Sequence, residues 1–382
     1  MRETVIVEAV RTPIGRRKGK LSGIRPDELL AETLKGLANR GNLDSALIED
    51  VIAGCVTQAG EQAPDIARTA ALMAGYPETV PGVTIDRQCG SSQQAVHFAS
   101  QAIESGDMDI VVAAGIESMS RVPMFSAMQG TEHSPILTEK YEIINQGLSA
   151  ERIAEKWSMT RQKLDQFSYE SHQKAVKAIK DGAFKNEILP IEVTLEDGQK
   201  EWMDEDEGPR GNSSVKQLGE LKTVFKEDGV ITAGNASQIS DGASAILLMD
   251  RNKAEELGFK PKFRIKARSV VGSDPTLMLT GPIPATEKVL QKANLSIDDI
   301  DLYEVNEAFA PVPLVWQREM KANIEKLNIH GGAIALGHPL GASGARVMTT
   351  LVHALERTGG RYGLQAICEG FGMANATIIE RL

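Results

Sequence analysis

The chain is poor in aromatic residues, 4% of 382 positions, and has only three cysteines. So few aromatics leave little with which to stack nucleic-acid bases. A balance of 42 Lys and Arg against 52 Asp and Glu, a formal net charge of -10, works against a polyanion as the main partner. A local basic pocket for a phosphate is compatible with that charge. Cys55, Cys89 and Cys368 include no Cys-x-x-Cys pair and cannot build a disulfide framework, so each is either core filler or chemistry. No apolar run reaches about 18 residues, and no membrane span is expected. The chain enters the β-branched stretch Val5-Ile6-Val7 without the charged, apolar and cleavage regions of a secretory leader, and a cytoplasmic location is expected. The histidines His97, His133, His172, His330, His338 and His353 share no metal-ligand spacing with each other or with cysteine, so no metal is expected.

Nucleotide and serine-hydrolase signatures are also missing. Gly15-Arg-Arg-Lys-Gly19-Lys20-Leu21 places three residues between its glycines rather than four, and has Leu21 where a phosphate loop needs a hydroxyl. No Gly-x-Gly-x-x-Gly follows a strand, and no Gly-x-Ser-x-Gly elbow is present.

Short β-type runs do alternate with amphipathic helical segments, the pattern of an α/β fold with buried sheets. Pro26 opens a helix with Leu30, Leu34 and Leu37 on one face, and residues 109–114 read as a buried strand. Between them the turn from Asp86 runs into a helix with Ala95, Ala99, Ala102 and Ile103 on one side, which places Cys89 at or near a helix start. The second half repeats this plan. Residues 43–56 resemble residues 295–309, an acidic helix end followed by a strand. The turn at Gly337-His338-Pro339, a helix bearing Val347, Met348, Leu351, Val352 and Leu355, and a strand over 364–368 match the Cys89 turn, helix and strand. A duplication would set the halves back to back, with the two turns meeting at their interface. From Ser118 to Ser237 the composition shifts, with Pro, Met, Ser and Gly gathered over 121–135 and a helix carrying Leu164, Phe167, Ser171, Ala175 and Ala178. This reads as an insertion lying over a site. Its acidic run Asp204 to Glu207 lacks calcium-loop spacing and is expected to be a solvated loop.

Four segments carry chemistry. An isolated cysteine is commonly a small buried hydrophobe. Cys89 instead stands among Arg87, Gln88, Gly90, Ser91 and Ser92 at a helix start, where free N–H groups and the helix dipole would lower a thiol pKa and supply a nucleophile. His338 is the single imidazole of the glycine-rich loop Gly331 to Gly344, whose backbone can approach a ligand closely; its bland reading is a satisfied core histidine. Cys368-Glu-Gly370-Phe-Gly372 ends a strand, where an inert cysteine is the plain alternative. Asn306-Glu307-Ala308-Phe309 ends another and could be a helix cap.

Taken in order, these segments resemble the thiolase family over essentially the whole chain. The match includes Arg11-Thr-Pro-Ile-Gly, the Cys89 turn, Gly115-Ile-Glu-Ser-Met-Ser, Thr232-Ala-Gly-Asn-Ala-Ser237, Asn306-Glu-Ala-Phe, Gly337-His338-Pro and Cys368-x-Gly370-x-Gly. The resemblance implies a thiolase fold of duplicated αβαβα layered halves, residues 1–117 with 238–262 and residues 263–382, with a loop domain over 118–237 that binds coenzyme A. It implies Cys89 as the acyl-accepting nucleophile, Cys368 as the acid/base, and His338 with a water on Asn306 as one oxyanion hole. The N–H groups of Cys89 and Gly370 form the other, Ser237 meets the pantetheine arm, and Glu307 stands behind the site. The implied activity is degradative: acetyl-CoA C-acyltransfer from a 3-ketoacyl-CoA to coenzyme A. Coenzyme A and acyl-CoA enter as substrates, with no tightly bound cofactor, in a homodimer or homotetramer. An acetoacetyl-CoA thiolase (acetyl-CoA C-acetyltransferase), a non-catalytic coenzyme A or lipid scaffold and a papain-like hydrolase are the rivals; Cys368 argues against a ketoacyl-carrier-protein synthase. Ser92, Phe371, Asn145-Gln146 and His330 depart from common family residues, and Phe371 could reshape the acyl pocket.

Overall fold

β-Branched and small apolar runs become strands, and amphipathic segments become the helices that cover them. The computed structural model describes residues 2–195 and 197–382. Met1 and Glu196, within the expected first half and loop domain, lie outside them. In chain order the strands are β1 (Thr4–Arg11), β2 (Gly15–Arg16), β3 (Asp50–Gly54), β4 (Gly82–Ile85), β5 (Ile110–Ser118), β6 (Ile191–Thr194), β7 (Lys200–Met203), β8 (Ser240–Asp250), β9 (Phe263–Gly272), β10 (Leu302–Val305), β11 (Tyr362–Glu369) and β12 (Met373–Arg381). All but β6 and β7 join one mixed sheet, along the path β10-β11-β12-β9-β1-β8-β5-β3-β4, with β2 on β8.

The path contains one pattern twice. β1, β8, β5 and β3 pair antiparallel, antiparallel and parallel, and β9, β12, β11 and β10 repeat that series. The halves are stitched where Val5 and Ile6 of β1 pair with Arg264 and Phe263 of β9. β5 and β8 are buried along their whole length, as strands covered on both faces must be. On β8, Ala245, Leu247 and Met249 face an outer core with Leu30, Leu34 and Leu37 of the helix Pro26–Arg40, while Ile246 and Leu248 face an inner core.

That inner core is built by the helices Ser91–Ser105 and Ser343–Thr358, which contribute Ala95, Ala99, Ile103, Ala345, Met348 and Leu351. Both end on a left-handed glycine, Gly106 at φ 89° and Gly359 at φ 75°. The turns before them meet, as the duplication requires. The Ala345 N–H donates to Ser92 Oγ at 2.9 Å. Gly344 comes so near that a Cβ on it would lie 2.0 Å from the Gln93 nitrogen. The helix Pro282–Ala293 covers the outer face of the second half, completing alternating helical and sheet layers. The expected acidic helix ends before β3 and β10 are single 3-10 turns, Ser45–Leu47 and Ile297–Asp299.

Residues 119–239 leave the sheet between β5 and β8. They hold the helices Gln146–Lys156 and Arg161–Lys180 and the antiparallel hairpin β6-β7. Leu164, Phe167, Ser171, Ala175 and Ala178 all lie on the buried face of Arg161–Lys180. The acidic run departs from its expected solvated state. Asp204 and Glu205 are exposed, but Asp206 is buried and grips the fully buried Arg11 at 2.7 and 2.9 Å. Glu187 holds the Arg11 Nε at 2.6 Å. A guanidinium taken out of water keeps its charge only when its donors are met, so the loop supplies carboxylates to the sheet. Next to it, Glu207 accepts from the N–H groups of Arg16 and Lys20, occupying the glycine loop with the protein's own anion.

Candidate active site

The turn before the helix Ser91–Ser105 is closed by its own polar groups. The Gln88 N–H donates to the Asp86 carboxylate at 2.6 Å and the Arg87 N–H to Ser91 Oγ at 2.8 Å, with Gln88 held at φ 49°. Gly90 is the N-cap, so Cys89 stands one residue ahead of it. Its side chain is 4% exposed and packs with Val347, Ile367 and Leu340. Cys368, on β11, is 1% exposed.

Cys89 does not have the depressed pKa expected from a helix start. Burial pushes Cys89 well above the usual thiol range, and the nearby Cys368, Glu369 and Asp86 push it in the same direction. Cys368 is pushed up to about 12, by burial and then by Glu369. Two donors that should have met a thiolate are already taken, the Gly90 N–H by the Arg87 carbonyl at 3.1 Å and the Ser91 N–H by the Gln88 carbonyl at 3.0 Å, which leaves the Cys89 N–H to favour the thiolate against burial. Both sulfurs therefore rest as thiols, with Cys368 close enough for its charge to act on Cys89.

His338 follows Gly337, whose φ of 108° and 2.4 Å approach of its Cβ position to Ser240 Oγ admit only glycine. The ring is buried and burial lowers its pKa to about 3, with Arg346 adding to the effect. Nδ1 lies 2.6 Å from Ser343 Oγ, and that hydroxyl donates to the Pro339 carbonyl at 2.8 Å. Nδ1 thus carries the hydrogen, and Nε2 is left as an acceptor facing Asn306 Nδ2 at 3.3 Å. Asn306 is fixed at the end of β10 by its N–H on the Ala366 carbonyl at 3.0 Å. Its Oδ1 is buried without a partner among the described residues, an arrangement that calls for a bound donor.

Glu307 ties this corner together, accepting from Ser171 Oγ at 2.7 Å, Asn328 Nδ2 at 2.9 Å and the Ile334 N–H at 3.2 Å. Burial raises its pKa. Gly370 abuts the Cys89 turn: a Cβ there would lie 2.9 Å from Gln88 Oε1 and 3.4 Å from Gln146 Nε2. Ser237 is half-buried and reaches the corner through its N–H on the Ala308 carbonyl at 2.9 Å. The structure so gathers Cys89, Cys368 and Gly370 at one turn, and joins Asn306 to His338 at a corner where the Ser237 N–H meets the Ala308 carbonyl.

Two supporting residues were missed. Ser343, which sets the imidazole tautomer, had a signal in its place five residues after His338. Glu117 accepts from the N–H groups of Val56, Thr57 and Gly341, which fastens the loop carrying His338 to β5. It had a weaker signal, as the acid of Gly115-Ile-Glu. Of the unusual residues, Ser92 receives the Ala345 N–H across the half-to-half contact, and Asn145 caps its helix through the Gly147 N–H at 2.8 Å. Phe371 holds φ 63° with its ring edge-on to His133 at 5.6 Å. His330 lies edge-on to Phe184 at 5.7 Å. Among the described residues no three His, Cys, Asp or Glu side chains group to hold a metal.

The family model for the thiolase N-terminal domain matches residues 4–252, and that for the thiolase C-terminal domain matches residues 259–381. The chain belongs to the thiolase family. This thiolase is 50% identical to a steroid 3-ketoacyl-CoA thiolase of Mycobacterium tuberculosis, over all of the chain and 95% of the relative. It is 43% identical to a 3-ketoacyl-CoA thiolase of Idiomarina loihiensis, over the full length of both. The crystal structure of the Bacillus anthracis acetyl-CoA acetyltransferase superposes with a TM-score of 0.93 at 39% identity, covering 100% of this chain and 99% of the other.

Proposed function

We propose that this thiolase works in the degradative direction, cleaving a 3-ketoacyl-CoA with coenzyme A to acetyl-CoA and a shortened acyl-CoA through an acyl-Cys89 intermediate. The observation that carries the reading is a neutral His338 with an unprotonated Nε2 beside Asn306, in a chain whose Cys89 and Cys368 are buried thiols close to one another. Buried thiols are poor nucleophiles until a base takes the proton. Cys89 gives its proton to His338 Nε2 and attacks the 3-keto carbon, while the Cys89 and Gly370 N–H groups hold the oxyanion. The bond between the second and third carbons breaks, and the acetyl-CoA enolate oxygen meets the His338 Nε2–H and a water on Asn306. Cys368 protonates the enolate carbon. Coenzyme A then gives its thiol proton to the Cys368 thiolate and attacks the thioester, and the departing Cys89 sulfur recovers its proton from His338. A high thiol pKa suits Cys368 to donate to carbon and suits Cys89 to rest unreactive until substrate is in place.

In the same reading Ser237 lines the pantetheine arm, and residues 118–237 form the loop domain that binds coenzyme A, set between the halves 1–117 with 238–262 and 263–382. The enzyme acts in the cytoplasm as a homodimer or homotetramer. Among the described residues no helix is long and apolar enough to cross a membrane. Incubation with acetoacetyl-CoA and longer 3-ketoacyl-CoA esters plus coenzyme A tests the activity. Acetyl-CoA release with a preference for longer esters is expected. Turnover of acetoacetyl-CoA alone would assign an acetyl-CoA acetyltransferase, which the 39% identity to the Bacillus anthracis enzyme favours as the second reading, and no turnover at any length would leave a scaffold.

A further inference from the structure

The nucleophile has a neighbour to which the mechanism assigns no part. Glu369 is fully buried, and both of its carboxyl oxygens lack a hydrogen-bond partner among the described residues. Such a group is costly and persists only where something requires it. It lies on the nucleophile's side of β11. Side chains alternate along a strand, so Glu369 shares a face with Ile367, and Ile367 packs on Cys89. The carboxyl is seated on Gly90, next in sequence to Cys89: a Cβ there would fall 1.8 Å from Glu369 Oε1 and 2.7 Å from its carboxyl carbon. Only glycine leaves room for this acid behind the cysteine turn.

We infer that Glu369 is a positioning residue for the nucleophile, a carboxylic acid set behind Cys89 that must stay uncharged for the thiol to ionise. The inference rests on the reading of Cys89 as the nucleophile. The titratable and charged groups facing Glu369 are Asp86 and Arg87 on the turn and the two thiols, Cys89 and Cys368. From β12 it is paired with Met373, whose sulfur also meets the Arg87 guanidinium at 3.6 Å, and His133 touches the turn two residues on, at Phe371. Burial raises the Glu369 pKa to about 9, Arg87 opposes the rise and Asp86 adds to it. At neutral pH the group is a protonated, uncharged acid that leaves a thiolate forming on Cys89 unopposed. Above pH 9 it is an anion, and it works against that thiolate.

The test is alkylation of Cys89 by iodoacetamide, with the modified peptide identified by mass, across pH 7 to 11. Wild type is compared with Glu369→Gln, which is nearly isosteric and never charged, and with Glu369→Met, which has no ionisable group. Both variants are expected to show an apparent Cys89 pKa lower by about one unit, read as roughly tenfold faster alkylation above pH 9. Loss of melting temperature with alkylation curves that superimpose on wild type would overturn the inference, since a purely structural acid changes stability and leaves the thiol titration alone. Absence of Cys89 alkylation at every pH in all three proteins would overturn the nucleophile reading and this inference with it.

Discussion

Asn306 presents its Nδ2 to His338 Nε2 at 3.3 Å and leaves its Oδ1 buried without a partner among the described residues. One side chain thus orients the imidazole and offers an open acceptor for a water, which in the proposed reaction donates to the enolate oxygen. Removing a donor from such a site costs about 2.7 to 4 kcal/mol. Asn306→Ala should lower kcat for thiolytic cleavage roughly 10²- to 10³-fold while Cys89 is still acylated by an acyl-CoA donor, which forms no enolate. Steady-state assay with acetoacetyl-CoA checks it, and a decrease of less than about threefold would remove Asn306 from the oxyanion hole.

The two cysteines should separate by function. Cys89→Ala is expected to form no acyl-enzyme from an acyl-CoA donor, because Cys368, the other sulfur near that turn, serves proton transfer in the proposed reaction and not acyl transfer. Cys368→Ala should still gain the mass of the acyl group, slowly, because the proton exchanged with coenzyme A can pass through water, yet fail to complete cleavage of a 3-ketoacyl-CoA, where the Cys368 proton is needed at the enolate carbon. Intact-protein mass spectrometry reads both. Equal loss of acylation in the two variants contradicts separate duties.

Asp206 tests the buried pair with Arg11. Its carboxylate takes two guanidinium donors and also the Ile14 N–H at 2.8 Å. Asp206→Ala leaves a fully buried cation with one partner fewer and should destabilise the fold by about 3 to 5 kcal/mol. Asp204→Ala, at an exposed position in the same run, should change stability by less than about 0.5 kcal/mol. Urea unfolding of both variants decides, and similar midpoints for the two would show that the pair contributes little.

Stability should fall as pH rises above neutrality, and Glu304 is one cause. Burial raises its folded-state pKa to about 8 from the usual 4.5, and Arg346 opposes the shift. A raised pKa favours the fold below the unfolded value, and that contribution is lost as pH climbs from 4.5 through 8, because the unfolded chain releases the proton first. The loss approaches roughly 1.4 kcal/mol per pH unit in mid-window. Glu304→Gln cannot ionise, so its unfolding free energy should decline less than that of wild type between pH 6.5 and 8. Parallel declines in chemical denaturation series would exclude Glu304 as a source of the alkaline loss.

Much of the architecture is legible along the chain because it depends on local period. Leu30, Leu34 and Leu37 recur at helical spacing and all three are buried. The Cys89 turn, helix and strand have their counterpart at His338 because each half uses the same small-residue contact, and Ser92 and Ala345 meet across it. The candidate catalytic residues could be named from their motifs, since glycine beside His338 and Cys368 marks where backbone must come close.

Local pattern was misleading where charge and burial meet. A cysteine at a helix start reads as an activated thiol, yet Val347 and Ile367 arrive from distant segments to exclude water, and the turn's own carbonyls take the donors. Asp206 reads as part of a solvated run because Arg11, its partner, lies nearly two hundred residues earlier in the chain.

The amino-acid order by itself determined which segments become helix, strand and turn, and which side chains could do acyl transfer, because period, glycine placement and functional-group identity are local properties. Tertiary structure alone decided the protonation of Cys89, Cys368 and His338 and brought the Glu369 carboxyl against Gly90, beside Cys89. The energy of a charge depends on how much water and which partners surround it, and those neighbours come from strands and helices remote in the chain.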